Sequence, residues 1–367
     1  MAAEISKVLN TPSPAEAANP AADRPYPFLD DASQSLCDAI ETLRKSETGR
    51  ELLADAEKYG TRIGLKSMSG AHGSFNDETK QVLINSASNP DRMVATLAHE
   101  LRHSQQFQNG VLLNAYSDRP KDYLHSQWLI EADANVAACQ VGWELKQQGN
   151  SKPLDALAEE RKDIVNAFTG SAEKGGIETG EAHSKAFYVW FDDLDLRECY
   201  EKNYIRNFEY RKRNATSEDR KTALRREVPV AENIERVCKF NGKTYLKQDE
   251  AAAFYAKPEL SSVTEETYWA IYRNTRDALG LDFSTPKEDV MERAGTGGFT
   301  KRLSSSWYYD LPSDLAKKQQ LARRQQEAAT KISKFRSLNT LDSLHTNGTK
   351  TPDLTAVVAK KRSLLQK

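Results

Sequence analysis

The sequence predicts a predominantly helical α+β fold, with a small mixed sheet beside two long helices, one carrying the pattern H-E-x-x-H and the next an acidic residue turned toward it. Three observations lead there. Apolar residues recur with a helical period through most of the chain. The period shortens to two only between residues 62 and 85. The charged fraction is 29% and the apolar fraction 38%, a balance of solvated helices around a limited core. At 367 residues the chain exceeds one typical domain. No apolar run approaches the roughly 20 residues that cross a bilayer, and Met1 to Asp30 lacks the basic-then-apolar order of a signal peptide. The expectation is therefore a cytoplasmic protein with no membrane span. Cys37, Cys139, Cys199 and Cys238 form no C-x-x-C pair, which argues against a disulfide framework or a thiolate metal knuckle.

Residues 1–30 hold five prolines in an Ala-rich polar stretch with too little apolar surface to offset the entropy of ordering, and are read as a disordered leader. Residues 31–205 follow as the main domain. Leu36, Ile40, Leu43, Leu52 and Leu53 predict two helical pieces hinged near Thr48-Gly49. Arg62 to Met68 alternates, Asn76 to Thr79 makes a turn, and Gln81 to Asn85 is a short apolar run, which together predict strands. A helix from Pro90 to Gln108 is framed by Asn89 as cap and Asn109-Gly110 as stop. Two further helices are expected over Pro120–Gln148 and Leu154–Phe168, then a mobile glycine-rich loop from Gly170 to Gly180. Phe187, Trp190, Phe191 and Leu194 follow at i, i+3, i+4 and i+7, which predicts one amphipathic helix from Ser184 to Arg213.

Residues 206–310 read as a mostly helical extension, with a hairpin turn at Asn241-Gly242. Residues 311–367 read as a basic, partly helical or disordered tail. From Lys301 onward there are 14 Lys/Arg against five Asp/Glu, a charge suited to weak contact with an acidic partner or nucleic acid.

The chemistry concentrates at His99-Glu100-Leu101-Arg102-His103. At about 100° per residue the two histidines stand one turn apart, so both imidazoles reach one cation. Val94, Leu97, Ala98 and Leu101 cluster on the opposite face and are expected in the core. Glu100 projects to the side, where a carboxylate takes a proton from water instead of ligating the metal. A catalytic zinc needs a third protein ligand and an open position. Glu131, in a following helix, is the expected third ligand, with Asp133, His125 and His183 as alternatives. Glu131, Asn135, Ala138 and Gly142 share a face whose small residues would let this helix approach the H-E-x-x-H helix closely. Asp133 points about 200° away from Glu131 and, if buried, has to be hydrogen-bonded.

The run T-L-A-H-E-L-R-H-S-Q-Q followed by E-A-D-A-N-V-A-A resembles the zincin metallopeptidases, in particular the gluzincin branch, whose third ligand is a Glu on a later helix. It also looks like uncharacterised bacterial metallopeptidase domains and, more distantly, like the ImmA/IrrE peptidases. The resemblance covers about residues 63–145 and implies a zincin-like arrangement of sheet and helices, Zn2+ on His99, His103 and Glu131, and Glu100 as general base. Gluzincins often place an acidic residue four after the ligand Glu to orient a metal-binding histidine. Here Asn135 stands in that place, able to accept the imidazole N–H without the charge.

A zinc-dependent peptidase acting on a protein or peptide substrate is therefore expected. His183 is a candidate to stabilise the oxyanion, with Tyr188 and His125 as others, and the strand Gln81 to Asn85 is expected to offer its edge to an extended peptide. A second reading keeps the metal for folding only, in a non-proteolytic interaction protein that uses the basic tail.

Overall fold

The computed structural model describes Leu29 and residues 33–302. The rest of the expected leader and the expected basic, partly helical or disordered tail lie outside the described residues. Helix α1 (Gln34–Leu43) is capped by Ser33 and α2 (Glu47–Tyr59) by Ser46, whose hydroxyl accepts the Gly49 N–H at 2.9 Å. The break between them thus precedes Thr48-Gly49, because Ser46 draws both residues into the first turn of α2. Leu29, inside the expected leader, is buried and bridges in parallel to Ile63.

Strands β1 (Arg62–Lys66), β2 (Gly73–Asn76) and β3 (Gln81–Asn85) form a mixed sheet in the order β1-β3-β2, with β1 parallel and β2 antiparallel to β3. This overturns one expectation. Gln81 to Asn85 has neighbours on both sides, and among the described residues the edge strand next to the H-E-x-x-H helix is β2. Its half-exposed, four-residue pattern carries too little apolar signal to be read as a strand.

Helix α3 (Pro90–Gln108) begins at Asn89, whose side chain accepts the Arg92 N–H at 2.8 Å, and ends at Asn109-Gly110, with Gly110 at φ +88. Met93, Val94, Leu97, Ala98 and Leu101 are each at most 2% exposed. Replacing Leu97 or Leu101 by Ala would cost about 2–5 kcal/mol. Helix α4 (Pro120–Gln147) packs against α2 and α3 and is buried along nearly all of its length, as its apolar and small residues on every side require. Helix α5 (Lys152–Ala172) packs on α3 and α4. Gly142 of α4 serves this second contact: a Cβ there would stand 2.9 Å from Leu154 Cδ1, so its small size admits α5 and not α3. The expected glycine-rich loop is helical as far as Ala172 and continues in hydrogen-bonded turns to Gly180.

The predicted helix from Ser184 to Arg213 is two, α6 (Glu181–Trp190) and α7 (Leu194–Asn214). Asp193 accepts the Leu196 N–H at 3.0 Å and so starts a new helix where the apolar period alone reads straight through. After α8 (Ser217–Thr222) and α9 (Val230–Val237), the hairpin β4 (Lys239–Phe240) and β5 (Lys243–Thr244) turns on Asn241 and Gly242, both at positive φ. Helices α10 (Gln248–Tyr255), α11 (Glu265–Leu279) and α12 (Lys287–Arg293) follow, and β6 (Ser262–Thr264) pairs in parallel with β7 (Thr300–Arg302). The fold is α+β and mainly helical. No helix among the described residues is long and apolar enough to cross a membrane.

Candidate metal centre

Helix α3 turns its polar side toward α4, and there His99, His103 and Glu131 converge. His99 Nε2 lies 3.1 Å from His103 Nε2, while Glu131 Oε2 is 3.3 Å from the first and 3.5 Å from the second. Ligands bound to one tetrahedral zinc at about 2.0–2.1 Å stand about 3.3–3.4 Å apart, so these atoms match one face of such a tetrahedron. The donor set, two imidazoles and a carboxylate, suits the same ion. His99 is the most exposed of the three, its side chain one-fifth accessible, so the group opens to solvent on that side.

The electrostatics of the triangle suit a cation. Burial works against the Glu131 carboxylate, yet His103 and His99 hold it well below the usual carboxylate range. Burial likewise opposes the charged form of His103, but Glu131 outweighs it and raises the imidazole to about 9. The metal-free chain thus keeps a proton where a cation would sit.

Glu100 is buried beside this pair. Desolvation pushes its carboxyl upward, reinforced by Glu131 and opposed by His99 and His103. The Phe75 N–H donates to it, so β2 touches the carboxylate through its backbone. Gly73, two residues earlier, permits the approach, because a Cβ there would lie 3.0 Å from Glu100 Oε1. A buried carboxyl whose pKa is raised is a stronger base than a solvated one, a property that suits proton transfer.

Two residues that the sequence did not point to complete the group. Tyr200 of α7 donates its hydroxyl to Glu131 Oε2 at 2.6 Å, and Gln106 of α3 meets His103 Nδ1 through its Oε1 at 2.8 Å. Gln106 was findable, since i and i+3 share a helix face. Tyr200 had no local signal.

The other expected residues lie elsewhere. His183 packs against the rings of Phe168, Phe240 and Tyr245, with both ring nitrogens buried and without hydrogen-bond partners. The structure does not bring it to the triangle, because α6 faces the hairpin there. His125 donates from Nε2 to the Leu260 carbonyl at 3.1 Å, and Tyr188 stacks on Phe254. Asn135 does not take the orienting role expected of it; its amide donates back to the Glu131 carbonyl at 2.9 Å. Asp133 is 1% exposed and bound to Arg102, Gln106 and Tyr245.

A cleft of about 410 Å³ adjoins His103 and Glu131. Asn76, Asp77, Gln127 and Asn207 line it beside Phe75 and Ile130, as do Glu78 and Arg211, paired at 3.0 Å.

A family profile described as "Putative metallopeptidase family (DUF6782)" matches residues 15–246, more than half of the chain. The chain belongs to this family. The matched span holds both histidines, Glu100, Glu131 and Tyr200, so the residues that converge in space all lie within the metallopeptidase segment. No curated protein and no solved structure matches.

Proposed function

We propose that this member of the metallopeptidase family is a zinc-dependent peptidase of gluzincin type, with His99, His103 and Glu131 as ligands and Glu100 as general base. The observation that carries the reading is the triangle of 3.1, 3.3 and 3.5 Å between the three ligand atoms. Zinc held there supplies Lewis acidity toward a water molecule and toward the scissile carbonyl. Glu100, desolvated and steadied by the Phe75 N–H, takes the proton of the attacking water and returns it to the leaving amine. Tyr200, whose single O–H donates to Glu131 Oε2, orients that carboxylate toward the ion. β2, the edge strand beside Glu100, suits backbone pairing with an extended peptide beyond the Phe75 N–H that Glu100 holds, and the cleft, lined by Asn76, Asp77, Gln127 and Asn207 as well as Phe75 and Ile130, suits a side chain with polar groups next to the scissile bond.

The test is metal analysis of the purified full chain together with cleavage of a fluorogenic peptide library. About one zinc per chain is expected, lost in His99→Ala, His103→Ala and Glu131→Ala, while Glu100→Gln keeps zinc and loses turnover. Stoichiometric zinc in both histidine variants, or undiminished cleavage by Glu100→Gln, would overturn the assignment.

A further inference from the structure

The metal triangle is joined to the β4–β5 hairpin by a continuous buried chain of hydrogen bonds. Gln106 Nε2 donates to the Ile130 carbonyl at 2.9 Å and to Asp133 Oδ2 at 2.6 Å. With both N–H bonds of the amide committed, the orientation of Gln106 is not interchangeable, and its Oε1 has to face His103 Nδ1 as an acceptor. Nδ1 therefore carries a hydrogen, and Nε2, once its own proton has left, directs its lone pair at the triangle.

Asp133 is itself held from two sides. Arg102 donates to it from Nε at 2.7 Å and from Nη2 at 3.0 Å, and the Tyr245 hydroxyl donates to Oδ1 at 2.7 Å. The same Nη2 of Arg102 reaches the carbonyls of Val237 and Lys239 at 2.5 and 3.1 Å, which fastens the hairpin to α3. Tyr245 lies 112 residues from Asp133 in sequence, and the family match reaches residue 246, one position past it.

We infer that Asp133, Gln106 and Tyr245 are positioning residues for the metal: the hairpin locks Asp133, Asp133 locks the Gln106 amide, and the amide sets the tautomer and ring angle of His103. This rests on the reading of His103 as a zinc ligand. It gives the segment after α9 a part in the metal centre although none of its atoms touches the triangle. It also explains why Asp133, two residues from Glu131 but on another side of α4, is buried: three of its hydrogen bonds come from the neighbouring helix α3 and the fourth from Tyr245.

The experiment measures zinc affinity of the full chain by competition with a chromogenic chelator for wild type, Gln106→Leu, Tyr245→Phe and Tyr204→Phe. Tyr204 is the control, a buried tyrosine whose hydroxyl has no hydrogen-bond partner among the described residues. Metal-free thermal unfolding and far-UV circular dichroism report folding, and 15N NMR of the zinc-loaded chain reports a slowly exchanging His103 Nδ1–H. Gln106→Leu is expected to weaken zinc binding by about 10- to 100-fold and to lose that resonance, and Tyr245→Phe to weaken it by at least about threefold, with Tyr204→Phe unchanged. Wild-type affinity in a folded Gln106→Leu, or equal affinities for Tyr245→Phe and Tyr204→Phe, would overturn the relay. Should Gln106→Leu fail to fold, the tyrosine pair decides alone. A wild-type chain without zinc affinity would overturn the parent assignment and the relay with it, whereas tight wild-type binding untouched in both relay variants would overturn the relay only.

Discussion

Gly73 lies so close to Glu100 that a methyl group on its Cα would stand 2.9 Å from Glu100 Cγ and 2.6 Å from Thr96 Cγ2. Neither neighbour gives way easily, since both side chains spring from the buried flank of α3. Gly73→Ala is therefore expected to push β2 or the Glu100 side chain aside. A displacement near 1 Å at a reacting group costs about 100-fold in rate. Steady-state kinetics should give a kcat reduced by about one to two orders of magnitude, with zinc stoichiometry kept. A Gly73→Ala variant with wild-type kcat would mean that Glu100 does not depend on this contact.

Tyr200→Phe separates two roles for the same hydroxyl. If it stabilises developing oxyanion charge, kcat falls by about 10²–10³ with KM and zinc affinity nearly unchanged. If it only orients Glu131, zinc affinity falls instead and kcat at saturating zinc is kept. The second pattern is expected, because the single O–H is committed to Glu131 Oε2; chelator competition and peptide cleavage measured on one preparation distinguish it from the first.

Zinc affinity should rise with pH. His103, raised to about 9 by Glu131 against the effect of its burial, is protonated in the metal-free chain at neutrality, and this proton has to leave before Nε2 binds a cation. Between about pH 7 and 9 the affinity should climb roughly tenfold per unit and then level off. Isothermal titration in buffers of different ionisation enthalpy should find close to one proton released per zinc near pH 7.5. Affinity that is flat across this range would show that the proton sits elsewhere.

The same imidazole makes the metal-free chain lose stability at alkaline pH. Its folded pKa lies above the unfolded value near 6.5, so its contribution is complete below that value and lost as pH rises through about 9. Added zinc should remove the alkaline loss, which thermal melts at pH 7 and 9.5, with and without the ion, would measure.

His183 carries the opposite sign. Burial lowers its imidazole to about 4, offset in part by Asp133, so the folded chain refuses a proton that the unfolded chain accepts. Stability is unaffected above about pH 6.5 and declines as pH falls toward 4, by about 3 kcal/mol over that interval. His183→Phe keeps an aromatic ring among Phe168, Phe240 and Tyr245 and has no hydrogen bond to lose. It should shift the acid unfolding midpoint downward and leave peptide cleavage intact. An unchanged acid midpoint, or lost cleavage with the fold preserved, would count against this placement.

What the sequence determined by itself was local. The spacing of His99 and His103 puts two imidazoles on one side of any α-helix, and Asn89-Pro90 and Asn109-Gly110 mark the ends of α3 to the residue, because capping and backbone preference act within one turn. Asn241-Gly242 likewise announces its hairpin. The convergence of Glu131 on the two histidines was legible as well, since two imidazoles one turn apart leave room for a third donor and the following helix offers a carboxylate. Where a strong local signal conflicted with a weaker one, the apolar period misled: Phe187 to Leu194 reads as one helix, yet the Asp193 cap divides it.

Tertiary structure alone decided the rest. Tyr200 meets Glu131 across 69 residues and Tyr245 meets Asp133 across 112, and no local preference encodes which of several buried tyrosines makes such a contact. The strand order β1-β3-β2 follows from how the sheet packs on α3, which leaves β2, the strand with the faintest pattern, at the edge beside Glu100. Periodicity and capping are energies of neighbouring residues, whereas register, burial of a particular hydroxyl and the partners of Asp133 are set only when distant segments compete for the same space.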